Sequence, residues 1–175
     1  VMTSRSGIAC MTGNRSVLSV MWLHRNPATV EILMADKIRV ATASLCGCFG
    51  CHMSLLDIDE RILELVQLVE FDRSPITDIK TVGDCDIGII EGGVANAENV
   101  EVLREFRKHC KVLVALGACA VNGGIPAMRD SFELKECLQD ADIDGIGVTI
   151  PGIPNDAGIP MLLNKVHPSR EVVRV

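Results

Sequence analysis

Short, mostly apolar runs alternate with helical segments along the chain, and this alternation restricts the possible fold most strongly. Residues 38–43, 86–90 and 111–116 read as strands buried on both faces of a sheet. Between them, residues 55–69 carry apolar side chains at helical spacing, and Asn96 is placed to cap a further helix. Strands that alternate with helices form right-handed βαβ units. The sequence therefore predicts an α/β fold, a flavodoxin-like doubly wound parallel sheet.

The remaining segments give weaker signals. We expect a short second strand at residues 69–72 and a helix near residues 132–138, and residues 171–175 resemble a strand that is cut short. Residues 1–36 show no clear period and are expected to be a poorly ordered N-terminal extension. Residues 37–175 would then form the folded domain, without its C-terminal end.

Composition argues against two classes of partner. The formal net charge is −6, aromatic residues make up 3% and tyrosine is missing, whereas nucleic-acid surfaces need basic faces and aromatic platforms. The sequence holds no apolar run of about 18 residues that could cross a membrane, and its N-terminal part lacks a secretory signal pattern. We therefore expect a cytoplasmic protein that binds neither nucleic acid nor membrane.

Four of the eight cysteines follow predicted strands directly. Cys46, Cys48 and Cys51 lie in the loop after the first strand, and Cys119 follows the strand at residues 111–116. In a parallel sheet the carboxyl ends of the strands meet at one edge, where ligands bind. In a chain of this length without a secretory signal, metal ligation is a better interpretation than disulfide formation.

The residues alone leave the bound group open. Thiolates favour zinc or an iron–sulfur cluster, and zinc sites usually bring a second close pair of ligands, whereas Cys119 stands alone before Gly123 and Gly124. A cluster is larger and needs such room. A zinc-stabilised interaction module, a redox dithiol and a flavin-binding carrier with FMN remain alternatives, although the first loop lacks a Ser/Thr-rich phosphate cradle. Cys85, Cys110 and Cys137 are expected to be small buried hydrophobes.

Three motifs in order resemble the small subunits of nickel–iron hydrogenases, and most of all the bidirectional, NAD-reducing soluble type. They read LCGCFGCHMSLLDIDE, DIGIIEGGV and GACAVNGGIPAMRD, and the resemblance covers roughly residues 37–175. It implies a flavodoxin-like domain that holds the proximal 4Fe–4S cluster. Cys48, Cys51 and Cys119 would be cluster ligands, and the chain itself would contain no catalytic residue.

The same resemblance implies a place in a larger hydrogen:NAD+ oxidoreductase. Electrons would pass between a nickel–iron centre in the hydrogenase large subunit and diaphorase iron–sulfur and flavin subunits that carry FMN and bind NAD. We expect the large subunit to dock on the Gly-rich edge at residues 119–126. The family's fourth ligand lies in a Gly-Cys-Pro motif. Pro151-Gly152-Ile153-Pro154 has isoleucine at the place of the cysteine and is not expected to be its counterpart. The fourth ligand is then either Cys46 or a residue beyond Val175.

Two polar residues near the thiols have open roles. For Glu91, a backbone cap at the end of its strand is favoured over a role in proton handling or in positioning a loop at the large-subunit interface. For His52, a hydrogen bond to a cluster sulfur and simple exposure to solvent are equally supported.

Overall fold

The computed structural model describes residues 37–77 and 79–175, so the extension predicted for residues 1–36 lies outside the described residues. The strands are β1 (Ile38–Ser44), β2 (Val69–Phe71), β3 (Cys85–Glu91), β4 (Val94–Asn96), β5 (Cys110–Leu116) and β6 (Leu162–His167). The main sheet contains four parallel strands in the order β2-β1-β3-β5, and a second pair, β4 and β6, is antiparallel. This strand order confirms the predicted flavodoxin-like α/β fold.

The helices follow the strands as a doubly wound fold requires. They are α1 (Gly50–Leu56), α2 (Ile62–Leu68), α3 (Ala97–His109), α4 (Gly117–Asn122), α5 (Leu134–Asp142) and α6 (Ser169–Val172), with 3-10 helices at Asp59–Arg61 and Pro126–Ser131. The cap predicted at Asn96 is confirmed, because its side-chain oxygen accepts the backbone N–H of Asn99 at 2.8 Å. None of the helices in the described ranges is long and apolar enough to span a membrane.

Strand register places three residues in one row at the carboxyl edge of the sheet. Ser44 of β1 pairs with Glu91 of β3, and Glu91 pairs with Leu116 of β5. The loops that follow β1 and β5 therefore leave the sheet on either side of Glu91. This row positions the candidate site.

The core lies between α3 and the sheet. Leu103 and Phe106 of α3 are fully buried, together with Ile90 of β3. Cys85 and Cys110, which pair across β3 and β5, are buried as predicted. Cys137 in α5 is only half-buried, so it does not act as a core residue.

Two predicted elements are wrong in detail. The single helix expected at residues 55–69 is broken, because Asp59 adopts a left-handed φ of 60° that separates α1 from the 3-10 turn and α2. The strand expected at residues 171–175 is replaced by α6, which begins after Pro168, and the true strand is β6. Helix α5 begins at Leu134, later than expected, because the 3-10 helix Pro126–Ser131 precedes it.

Candidate metal centre

The structure brings the thiol-bearing segments together at the carboxyl edge of the sheet. Cys48 is exposed in the loop after β1, Cys51 is half-buried in the first turn of α1, and Cys119 is half-buried in α4. The segments touch, because a Cβ placed on Gly117 would overlap the Sγ of Cys51. The prediction that these thiols share one edge is thus confirmed, while their role as ligands stays a prediction.

Cys46 is fixed at the same edge by its backbone. Its N–H donates to the carbonyl of Gly93 at 3.0 Å, and its carbonyl accepts the N–H of Gly93 at 2.7 Å. Burial raises the pKa of the Cys46 thiol, the Arg129 guanidinium opposes that rise, and Cys119 adds to it. Cys46 is therefore a fourth thiol within electrostatic range of Cys119.

Two glycines allow the close approach of backbone segments around the thiols. Gly92 has a φ of +87°, and a Cβ there would lie 2.8 Å from the carbonyl carbon of Leu45. Gly124 has a φ of +51°, and a Cβ there would lie 2.7 Å from the Sγ of Cys119. Any other residue would be strained at these φ values. Its Cβ would collide with the backbone of the first loop at Gly92 and with the sulfur of Cys119 at Gly124.

The pKa of Cys51 is raised above its ordinary value. The largest cause is burial, and the charge and hydrogen-bonding acceptor of Glu91 come next, followed by Cys48 and Cys119. Without a bound group the Cys51 thiol is therefore held in its protonated form. Because thiolates are the form that ligates metals, loading the site must release this proton.

Glu91 and His52 lie inside the site rather than on the surface. Glu91 is 2% exposed and His52 is 1% exposed, so the alternative of a solvent-exposed His52 is wrong. The carboxylate of Glu91 accepts the hydroxyl of Ser44 at 2.7 Å and the backbone N–H of His52 at 3.0 Å. The bond to His52 agrees with the backbone cap predicted for Glu91, but the capping carboxylate is buried, and strand register places Glu91 between β1 and β5.

The residues present fit an iron–sulfur cluster. No three His, Cys, Asp or Glu side chains in residues 37–77 and 79–175 are arranged to ligate a single metal ion. A cluster is larger than one ion and draws its thiolates from separate segments, as Cys48, Cys51 and Cys119 are separated. Gly117 and Gly124 place no side chain beside the sulfur atoms of Cys51 and Cys119.

Comparison with known proteins assigns the class. Residues 48–161 match the family described as NADH ubiquinone oxidoreductase, 20 kDa subunit. The matched region covers more than half of the chain and includes Cys48, Cys51 and Cys119. The chain belongs to this family.

Within that family, the chain is similar to hydrogenase subunits. It is 49% identical over 144 residues to the NAD-reducing hydrogenase HoxS subunit delta of Cupriavidus necator, covering 79% of this chain and 68% of that one. It is 38% identical over 147 residues to one subunit of the vhu F420-non-reducing hydrogenase of Methanococcus voltae, covering 81% of this chain and 50% of that one.

A solved structure agrees with these relatives. A chain of the NAD+-reducing nickel–iron hydrogenase crystallised in the H2-reduced state is 57% identical, with a TM-score of 0.77 and coverage of 80% of this chain and 79% of that one. The predicted resemblance to small subunits of NAD-reducing nickel–iron hydrogenases is thereby confirmed. The present chain spans about half the length of the Methanococcus protein and about two thirds of the Cupriavidus protein.

Proposed function

We propose that this chain is the electron-transfer subunit of an NAD-reducing nickel–iron hydrogenase and holds its proximal 4Fe–4S cluster through Cys48, Cys51 and Cys119. One observation carries the proposal: thiols that follow β1 and β5 meet at the carboxyl edge of the sheet. The similarity to the HoxS delta subunit supports the same role.

When bound, a 4Fe–4S cluster supplies one-electron redox chemistry, and burial and hydrogen bonds to its sulfurs tune its potential. The chain's own residues hold and shield that group. The thiolates of Cys48, Cys51 and Cys119 would be its ligands, and Gly117 and Gly124 would keep side chains away from the sulfur atoms of Cys51 and Cys119. None of these residues is required to transfer a proton during turnover.

The edge beside Cys119 is suited to a partner subunit. Three apolar side chains in α4 and the segment that follows it are exposed. Val121 is 45% exposed, Ile125 75% and Met128 69%. Adjacent apolar exposure of this kind marks protein interfaces. We propose that a hydrogenase large subunit with a nickel–iron centre docks there, and that diaphorase subunits with FMN and NAD accept the electrons.

The fourth ligand has two proposed sources. Cys46 lies at the correct edge and interacts electrostatically with Cys119, which supports it over the other expected source, a residue beyond Val175. A Cys46→Ser variant tests this choice. Loss of bound iron would assign Cys46 as the ligand, and a full complement of iron would exclude it.

The ligand assignment is tested by iron content in the anaerobically purified complex. Cys48→Ser, Cys51→Ser and Cys119→Ser are each expected to lower the iron and sulfide bound to this subunit. Cys137→Ser is the matched control, because Cys137 lies in α5 away from the site, and it should keep the parent's content. Equal iron in all four variants would contradict the assignment, and zinc or flavin in place of iron would favour the alternative functions.

A further inference from the structure

Glu91 connects three elements that surround the candidate cluster site. Its Oε1 accepts the hydroxyl of Ser44 in β1 at 2.7 Å, and its Oε2 accepts the backbone N–H of His52 in α1 at 3.0 Å. Its own backbone belongs to β3, between β1 and β5. With 2% of its surface exposed, this carboxylate forms its hydrogen bonds away from bulk water.

Helix α1 needs this external acceptor because it lacks a local cap. Its N-cap residue, Phe49, has a φ of 63° and makes no side-chain capping bond, and the first turn contains no acidic residue. The N–H groups of a first turn have no partner within the helix and must find one elsewhere. Glu91 provides that partner from another strand, by accepting the N–H of His52.

The ring of His52 also packs beside the Glu91 carboxylate. It stacks on Phe49 with 4.8 Å between centroids and an interplanar angle of 2°, and its Nδ1 lies 3.2 Å from Oε1 of Glu91. The geometry of that contact is not that of a hydrogen bond. Within the part of the chain that the structure describes, both ring nitrogens of His52 are buried without a hydrogen-bond partner. The loop that carries Cys48 and Cys51 is thus packed around the Glu91 carboxylate.

We propose that Glu91 is a positioning residue that holds the first turn of α1, and with it Cys51, against the cluster site, and that its charge lowers the cluster's reduction potential. This inference rests on the proposed function, because it requires a cluster to be bound. The hydroxyl of Ser44 and the N–H of His52 donate to different oxygens of the carboxylate, so both oxygens hold a neighbouring element.

The effect on potential follows from charge. Reduction of a cluster adds one negative charge, and a buried carboxylate nearby opposes that addition more strongly than it would in water. Replacing Glu91 with glutamine removes the charge and keeps the shape. The amide oxygen still accepts the N–H of His52, and the amide NH2 donates to the hydroxyl of Ser44, whose oxygen can accept. Alanine removes the charge and both hydrogen bonds.

The test compares Glu91→Gln, Glu91→Ala and the control Asp86→Asn in the intact complex. Asp86 is a carboxylate on the same strand, at the opposite edge, where it bonds Lys111 and the N–H of Arg39. The readouts are iron per subunit and the midpoint potential from an EPR-monitored redox titration. Glu91→Gln should keep the iron and shift the one-electron equilibrium at least tenfold toward the reduced cluster, about 59 mV. Glu91→Ala should lose at least half of the iron.

Other outcomes would overturn the inference. Unchanged iron and unchanged potential in both Glu91 variants would show that Glu91 neither anchors nor tunes the site, while leaving the proposed function intact. An equal shift in Asp86→Asn would show that any lost carboxylate has the same effect. A parent subunit without iron would remove the proposed function itself, together with this inference. If Glu91→Ala does not fold, the potential of Glu91→Gln still decides the question.

Discussion

Gly117, the first residue of α4, packs directly against Cys51 in the first turn of α1. Its φ is +82°, and a Cβ at this position would overlap the sulfur of Cys51. Two segments that are distant in sequence therefore meet at a point where only glycine fits. The geometry of the thiol site depends on this contact as much as on the cysteines themselves.

Gly117→Ala should disrupt the thiol site. The new methyl group must displace Cys51, because the two cannot occupy the same space. We expect at least a severalfold loss of bound iron, measured in the anaerobically purified complex. The positive φ adds roughly 1 kcal/mol of strain in the variant.

Gly147→Ala is the matched control for that strain. Gly147 has a φ of +87°, and a Cβ there would find no atom within 4 Å. Backbone strain alone should therefore destabilise this variant, and it should keep its iron. Equal loss of iron in both variants would show that backbone strain, rather than the contact with Cys51, is responsible.

Phe106→Ala should destabilise the domain strongly. Phe106 is fully buried in α3, and the guanidinium of Arg73 lies 5.5 Å from the centre of its ring. Removing a buried phenylalanine side chain costs about 3–5 kcal/mol. Chemical denaturation of the chain measures this, with the fully exposed Ile146→Ala as a control expected to change stability by less than about 0.5 kcal/mol. A Phe106→Ala change below about 1 kcal/mol would contradict the packing.

Asn96→Ala should cost about 1 kcal/mol, because Asn96 caps the longest helix in the described ranges. The side chain of Asn99 returns a bond by accepting the N–H of Ala95 at 3.1 Å, so both residues fix the start of α3. Asn96→Asp keeps an acceptor and should retain most of the stability. Thermal unfolding distinguishes the two variants, and equal losses in both would contradict a capping role.

Cys85 should be the least reactive cysteine of the main sheet. Burial, and then the hydrogen bond to Asp72 at 3.2 Å, raise the pKa of Cys85 to about 12. An unfolded cysteine ionises near pH 9.0, whereas folded Cys85 keeps its proton. Above pH 9 the unfolded state therefore binds fewer protons at Cys85 than the folded state does. The contribution of Cys85 to stability is complete below pH 9 and is lost as pH rises toward 12.

Alkylation with mass-spectrometric readout tests this pKa. In the folded chain without a bound cluster, Cys85 should react far more slowly than the exposed Cys48 between pH 7 and about 9. Asp72→Asn removes the charge beside the thiol and should increase the rate at Cys85 without changing the rate at Cys48. Comparable rates for the two cysteines in the unsubstituted chain would contradict the structure.

The sheet was predictable because its strands carry a strong local signal. The run at residues 111–116 and the cysteine that follows it indicated both a strand and an edge, and β5 and Cys119 lie there. The break between α1 and α2 was not predictable, since Asp59 enters a left-handed conformation that its residue type only weakly indicates. The prediction for residues 171–175 was wrong because consecutive valines favour strands, whereas the turn after Pro168 begins a helix instead.

The burial of the polar residues Glu91 and His52 could not be predicted from the sequence, for a different reason. Glu91 is a charged residue before two glycines, which is typical of a surface turn. Its burial arises from pairing with Ser44 in β1 and from the placement of α1 above it, and both are long-range contacts. No local pattern around Glu91 or His52 encodes these partners.

The iron and acid-labile sulfide content of this subunit tests the proposed cluster most directly, measured anaerobically with EPR of the reduced state in the complex assembled with its partner subunits. We expect about four irons and four sulfides per chain, as a 4Fe–4S cluster requires, and a cluster signal that appears on reduction. A subunit that contains zinc, or flavin without iron, would contradict the proposal that this chain carries electrons through a cluster.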